Sequence, residues 1–163
     1  MKFILHRLLF VLLAAACGYF AEAQDINRKN KIMDFKIEIS KRYMGRIQNR
    51  VIISPDTVIV EENIAINPKN YRKEQRALTS EERDVLINTL AKFPLNNFKE
   101  SYYNRKVKDG IQLQFHIEIN NDKKDIFVSN YYIDELGKLV DTVVEILHED
   151  YFLYRKEMEH IDL

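Results

Sequence analysis

Apolar and polar residues alternate along much of this chain. Phe35, Ile37 and Ile39 alternate with Lys36, Glu38 and Ser40. That spacing predicts a half-buried strand, because successive strand side chains point to opposite faces. After a turn at Tyr43-Met44-Gly45, Ile47, Val51 and Ile53 resume the two-residue period, with Asn49 the one polar break. Ser54-Pro55-Asp56-Thr57 predicts a second turn: Pro presets φ, and Asp suits the position after it. Val58 and Val60 mark a short strand. Residues 63–70 read as a loop around Pro68. Residues 71–77 read as a further strand at an edge, where charge discourages pairing with other chains.

The longest alternation comes later. Ile111, Leu113, Phe115, Ile117 and Ile119 are interleaved with Gln112, Gln114, His116, Glu118 and Asn120. Asn120-Asn121-Asp122-Lys123 turns the chain, and residues 125–129 return as the partner strand. Two stretches change to helical spacing. Thr79-Ser80-Glu81-Glu82 forms a capping box ahead of Leu86, Leu90 and Phe93, supported by Val85, and Pro94 stops the helix. A second helix opens near Ile133 and places Leu136, Val140, Val143 and Leu147 on its core face, thickened by Leu139 and Ile146. Gly137 inside it costs ~1 kcal/mol relative to Ala, which points to close packing. Tyr151, Tyr154, Met158 and Ile161 keep a helical spacing, so residues 149–163 are expected to form a helical extension or a tail.

One wet and one buried sheet face, with two amphipathic helices for cover, predict a two-layer α+β domain over residues 34–148. Its sheet is expected to be antiparallel, of about five strands, covered on one face by the two helices.

The first residues change the picture of where the protein works. Lys2 and Arg7 precede an apolar run from residue 8 to 16, too short to cross a bilayer, and Ala21-Glu22-Ala23 offers a small-x-small cleavage site. Residues 1–23 are therefore expected to be a signal peptide, with 24–33 a flexible lead-in and the product periplasmic or extracellular. The rival is Ala14-Ala15-Ala16-Cys17-Gly18, a loose lipobox that would lipidate Cys17 and anchor the protein to the envelope. Cys17 is the single cysteine, so the cleaved form has no thiol, disulfide or cysteine-based metal site.

A 163-residue chain cut after residue 23 leaves 140, the size of one domain. Basic and acidic residues are balanced at 25 each. The large positive excess of a nucleic-acid binder is absent. No nucleic-acid partner is expected, and a membrane only if Cys17 is lipidated.

The strand ending "KIEIS", the Gly-containing turn, the Pro-Asp hairpin, "LTSEERDVL", a strand pair and a last helix resemble emfourin-type modules over residues 34–148. These are small bacterial proteins that include inhibitors of thermolysin-like metalloproteases. Lys41-Arg42-Tyr43-Met44-Gly45 stands where that family usually has a small-residue turn. No functional residue is matched, so the resemblance implies a fold and an inhibitor-like role without site residues.

Candidate chemistry is sparse. There is no Gly-rich phosphate loop, no nucleophile elbow, and no pair of histidines at zinc-protease spacing. His116 lies on the wet face of its strand between Gln114 and Glu118. That trio would need a further carboxylate to hold a metal, and a solvated polar face is the simpler reading. His148-Glu149-Asp150 sits at a helix end, where a cationic His complements the dipole. Lys69, Arg72, Lys73 and Arg76 form a basic run diluted by Glu74, read as a solvated edge strand or else a contact for an anionic surface. No catalytic, cofactor-binding or metal residue is nominated. The tyrosine pairs Tyr102-Tyr103 and Tyr131-Tyr132 flank the best hairpin, each pair offering one ring inward and one outward, and are the candidate partner-binding residues. The expected function is a non-enzymatic protein-binding or inhibitor-like exported module with an unknown protein partner. The alternatives are a lipid-anchored structural component of the envelope and a small hydrolase.

Overall fold

The computed structural model describes residues 32, 34–65, 68–107 and 110–156. The expected signal peptide with Cys17, and all of the expected lead-in except Ile32, lie outside the described residues.

β1 (Phe35–Tyr43) runs through the middle of the sheet and pairs antiparallel with β2 (Arg46–Ile53) on one side and β6 (Gln112–Ile119) on the other. Its turn into β2 places Met44 and Gly45 at φ of 48° and 76°, two left-handed residues in a row. Such a turn matches the twist of the flanking strands, and glycine takes its second position without strain. β3 (Thr57–Glu62) follows the Pro-Asp turn, closed by a 2.9 Å bond from the Ser54 N–H to the Thr57 carbonyl. β4 (Arg72–Ala77) completes that edge, and β7 (Asp122–Ser129) pairs antiparallel with β6.

Two features correct the expected sheet. It has seven strands rather than about five, in the order β4-β3-β2-β1-β6-β7-β5, and it is mixed rather than antiparallel. The difference at the far edge is β5 (Ser101–Tyr103), which runs parallel to β7. Three residues are too few to carry an alternation, and the parallel partner is reached only after β6 has been laid down. β4 is the edge strand that the charges predict, all six residues exposed.

Phe35, Ile37, Ile39, Val51, Ile53, Leu113, Phe115, Ile117, Ile126 and Val128 fill the inner face, nearly all without solvent contact. Each such side chain contributes roughly 1.5–3 kcal/mol by leaving water. α1 (Ser80–Ala91) and α2 (Asp134–Leu147) cover this face, burying Leu86 and Leu90 from one and Leu136, Leu139, Val140, Val143 and Ile146 from the other. The capping box is present at α1: the Thr79 hydroxyl accepts the Glu82 N–H at 3.2 Å, and Glu82 accepts the Thr79 N–H at 3.0 Å. Arg76 on β4 grips that same Glu82 through two 2.8 Å bonds and donates to the Ile146 carbonyl at 2.9 Å. One guanidinium thus links an edge strand, the start of α1 and the end of α2.

The helical spacing after Glu149 does not yield a helix within the described residues. His148 turns left-handed at φ 56° and ends α2. Residues 149–155 are not helical. Asp150 instead accepts the N–H groups of Phe152 and Leu153 at 3.0 and 2.8 Å, holding a turn. That turn delivers Phe152 (0 % exposed) and Tyr154 (3 %) into the core. The Tyr154 hydroxyl accepts the Ile133 N–H at 2.9 Å, serving the start of α2, which has no side-chain cap of its own. The segment after α2 therefore belongs to the same core as residues 34–148. Met158 and Ile161 lie outside the described residues.

Candidate functional site

The aromatic end of the sheet is assembled by a short descent from α1. Phe93 and Phe98 stack at 5.0 Å around the one-turn 3-10 segment Leu95–Asn97, with Leu95 buried. This anchor lays β5 beside β7, so that Tyr102 pairs with Val128 and Tyr103 with Ser129. Tyr102 shares the inner side with Val128, and its hydroxyl accepts the Lys99 N–H at 2.9 Å. Tyr103 shares the outer side with Phe127, the ring centroids 5.4 Å apart.

Asn130 brings up the second pair. It is left-handed at φ 51°, buried at 5 % exposure, and bonded through its N–H to the Ile111 carbonyl and through its amide to the Val107 carbonyl. The chain bends there, and Tyr131 lands 5.8 Å from Tyr102, centroid to centroid. Tyr132 goes the other way. Its ring packs 5.0 Å from Tyr154 beneath α2, and its hydroxyl occupies the space beside Gly137.

Each tyrosine pair thus sends one ring toward the core and one toward solvent. Tyr103 is 57 % exposed and Tyr131 41 %, while Tyr102 and Tyr132 are half-buried. Tyr102, Tyr103 and Tyr131 share one edge of the molecule, and Tyr132 belongs to the core. Phe127 completes the surface cluster and was not nominated from sequence. Its place in the alternation of β7, opposite in phase to Ile126 and Val128, is the signal that puts it on the wet face.

Ionisable groups gather elsewhere, on the sheet face opposite α1 and α2. His116 sits between Asp125, 2.9 Å from Nδ1, and Glu118, 2.7 Å from Nε2. As an imidazolium it donates to both. The bonds to Glu118 and Asp125 raise its pKa, against burial that lowers it. With both ring nitrogens engaged, a metal ion would have to displace a carboxylate, and among the described residues no group of three metal-ligating side chains is assembled. Glu61, 6 % exposed, is the most enclosed carboxylate of this face. Burial pushes its pKa up, but bonds from Arg50 (2.6 Å) and Tyr71 (2.9 Å), with Lys73 nearby, hold it below the ordinary carboxylate value. Arg50 also reaches Glu38 at 3.6 Å. Opposite charges in this face are matched in pairs, which are worth little individually in water.

Two grooves occupy other places. One of about 530 Å³ lies between the end of α1 and the β6–β7 turn, lined by Leu90, Phe93, Leu95, Asn97, Ile119 and Asp122. The other, about 320 Å³, lies between the helices near Thr89, Lys92, Glu135, Lys138 and Thr142. Neither includes His116, Glu61 or a nominated tyrosine. Among the described residues no helix is long and apolar enough to cross a membrane. No protein-family model matches the chain, and no curated protein shows significant similarity to it.

Proposed function

We propose that this chain is an exported, non-catalytic module that binds another protein through the aromatic end of its sheet. The observation that carries this reading is the cluster of Tyr102, Tyr103, Phe127 and Tyr131, with the rings of Tyr103 and Tyr131 exposed and each packed against a second aromatic ring. Rigid tyrosines supply contact area at small entropic cost, which is why they are enriched where proteins meet. The emfourin-like order of elements favours an inhibitor-like role. A hydrolytic role is disfavoured because His116 is engaged on both nitrogens, on the sheet face opposite α1 and α2, and lines neither groove described above. Export rests on residues 1–23, and N-terminal sequencing of the mature product is expected to begin at Gln24.

The test immobilises the full mature chain and passes native envelope extract over it in mild salt. A retained protein that is lost with the Tyr103→Ser, Tyr131→Ser double variant supports the proposal. No retained protein, or equal retention by the double variant, removes it. The lipid-anchored alternative rests on Ala14-Ala15-Ala16-Cys17-Gly18. Palmitate labelling that disappears in Cys17→Ala would establish it, and an unlabelled native chain would eliminate it.

A further inference from the structure

The two edges of the sheet are built differently. β4 ends one side with Arg72, Lys73, Glu74, Gln75 and Arg76, all exposed. A charged edge of this kind resists further strand pairing. β5 ends the other side with Ser101, Tyr102 and Tyr103, which carry no charge.

The ladder between β5 and β7 defines which backbone groups of β5 face away from its partner among the described residues. The Phe127 N–H donates to the Glu100 carbonyl at 2.9 Å, and the Asn104 N–H donates to the Ser129 carbonyl at 2.9 Å. In a parallel ladder alternate residues face the partner strand, so Glu100, Tyr102 and Asn104 face β7. The N–H and C=O of Ser101 and Tyr103 point away from the sheet at its open edge. Aromatic pairs bracket that edge: Tyr102 with Tyr131 on one side, Tyr103 with Phe127 on the other.

We infer that β5 is a docking edge for an extended acidic segment of a partner protein, which adds to the sheet as an eighth strand. This rests on the protein-binding reading above and specifies its chemistry. Backbone pairing to Ser101 and Tyr103 supplies registration, and alternate apolar side chains of the segment meet the two aromatic pairs. Charge selects the partner. Within three residues of β5 along the chain, exposed Lys99, Arg105 and Lys106 outnumber Glu100, so acidic residues on either side of the apolar pair are favoured. A second copy of this chain fits poorly. Antiparallel self-pairing that uses both free residues sets Ser101 opposite Tyr103 and brings Lys99 toward Arg105 of the other copy.

The experiment pans a random peptide display library on the full mature chain. The enriched sequences are then synthesised with blocked ends and titrated by fluorescence anisotropy. Acidic residues flanking β-branched or aromatic ones are expected. Tyr103→Thr removes the ring but keeps the N–H. Tyr103→Pro removes both, while sparing the bonds to β7, because that N–H faces outward. The proline variant is expected to bind at least about tenfold more weakly than the threonine variant, in line with loss of a backbone hydrogen bond and a steric block. In the native chain, bound peptide is expected to slow hydrogen exchange at the Ser101 and Tyr103 amides by at least about tenfold, a readout that does not depend on the stability of any variant. Equal weakening by Thr and Pro, with no protection at those amides, overturns edge pairing and leaves aromatic docking standing. Enrichment without acidic residues, failure to enrich any peptide, or a concentration-dependent dimer abolished by Tyr103→Pro also overturns the inference.

Discussion

Replacing Gly137 with alanine sets two effects of opposite sign against each other. Inside a helix the change to alanine is worth ~1 kcal/mol in favour of folding. Here the new methyl would lie 1.9 Å from the Tyr132 hydroxyl oxygen, 2.4 Å from Cζ and 2.9 Å from Cε2. Ordinary contact begins near 3.4 Å, so the ring must retreat by about 1.5 Å. It cannot do so freely, because it packs against Tyr154 at 5.0 Å. Overfilling a packed site costs about 1–3 kcal/mol, and a weakened aromatic pair adds about 0.5–1.5 kcal/mol. The clash outweighs the propensity, and Gly137→Ala is expected to destabilise the protein by about 1–2 kcal/mol. In a Tyr132→Ala background the obstruction is gone, and the same change should stabilise by about 1 kcal/mol. Urea unfolding followed by circular dichroism reads both differences as midpoint shifts at constant slope. The cycle should therefore show coupling of about 2–3 kcal/mol. A stabilised Gly137→Ala in the native sequence, or equal effects in both backgrounds, would refute the packing account of this glycine.

Other consequences can be measured on the same protein. Phe152→Ala is expected to cost about 3–5 kcal/mol, the range for truncating a fully buried aromatic; a loss below about 1 kcal/mol would show that the segment after α2 is dispensable to the core. His116 has a raised pKa through Glu118 and Asp125, so its contribution is complete below the unfolded value near 6.5 and fades as pH rises through the folded one. Unfolding midpoints should fall over that interval, and the combined Glu118→Gln, Asp125→Asn variant should show a flatter profile. An unchanged profile would remove His116 as the source. Thr79→Ala is expected to cost ~1 kcal/mol by freeing the Glu82 N–H, whereas Thr79→Asp, which restores an acceptor, should cost little; equal losses would argue against capping.

The legible parts of this protein are those whose physics is local in sequence. Ile111 to Ile119 announce β6 because a one-sided strand must alternate, and the register with β1 keeps Phe115 and Ile39 on the same face. Thr79 and Glu82 announce the start of α1 because both halves of the capping box lie within one turn. The inward and outward partition of Tyr102 and Tyr103 and the wet placement of His116 follow from the same alternation, whereas Tyr131 and Tyr132 lie beyond the strand and are parted by the bend at Asn130. Tertiary structure alone decided the rest. β5 is too short to have a pattern, and its parallel pairing depends on where β7 comes to lie. Phe127 joins Tyr103 only once that pairing exists. Tyr151 and Tyr154 have helical spacing, but the left-handed turn at His148 and the Asp150 turn direct Phe152 and Tyr154 into the core, where Tyr154 meets Phe115. Spacing along a chain specifies which side chains share a face of one element. Which edge that element joins, and which groups then meet, is set by contacts between residues far apart in sequence, whose energies no local pattern contains.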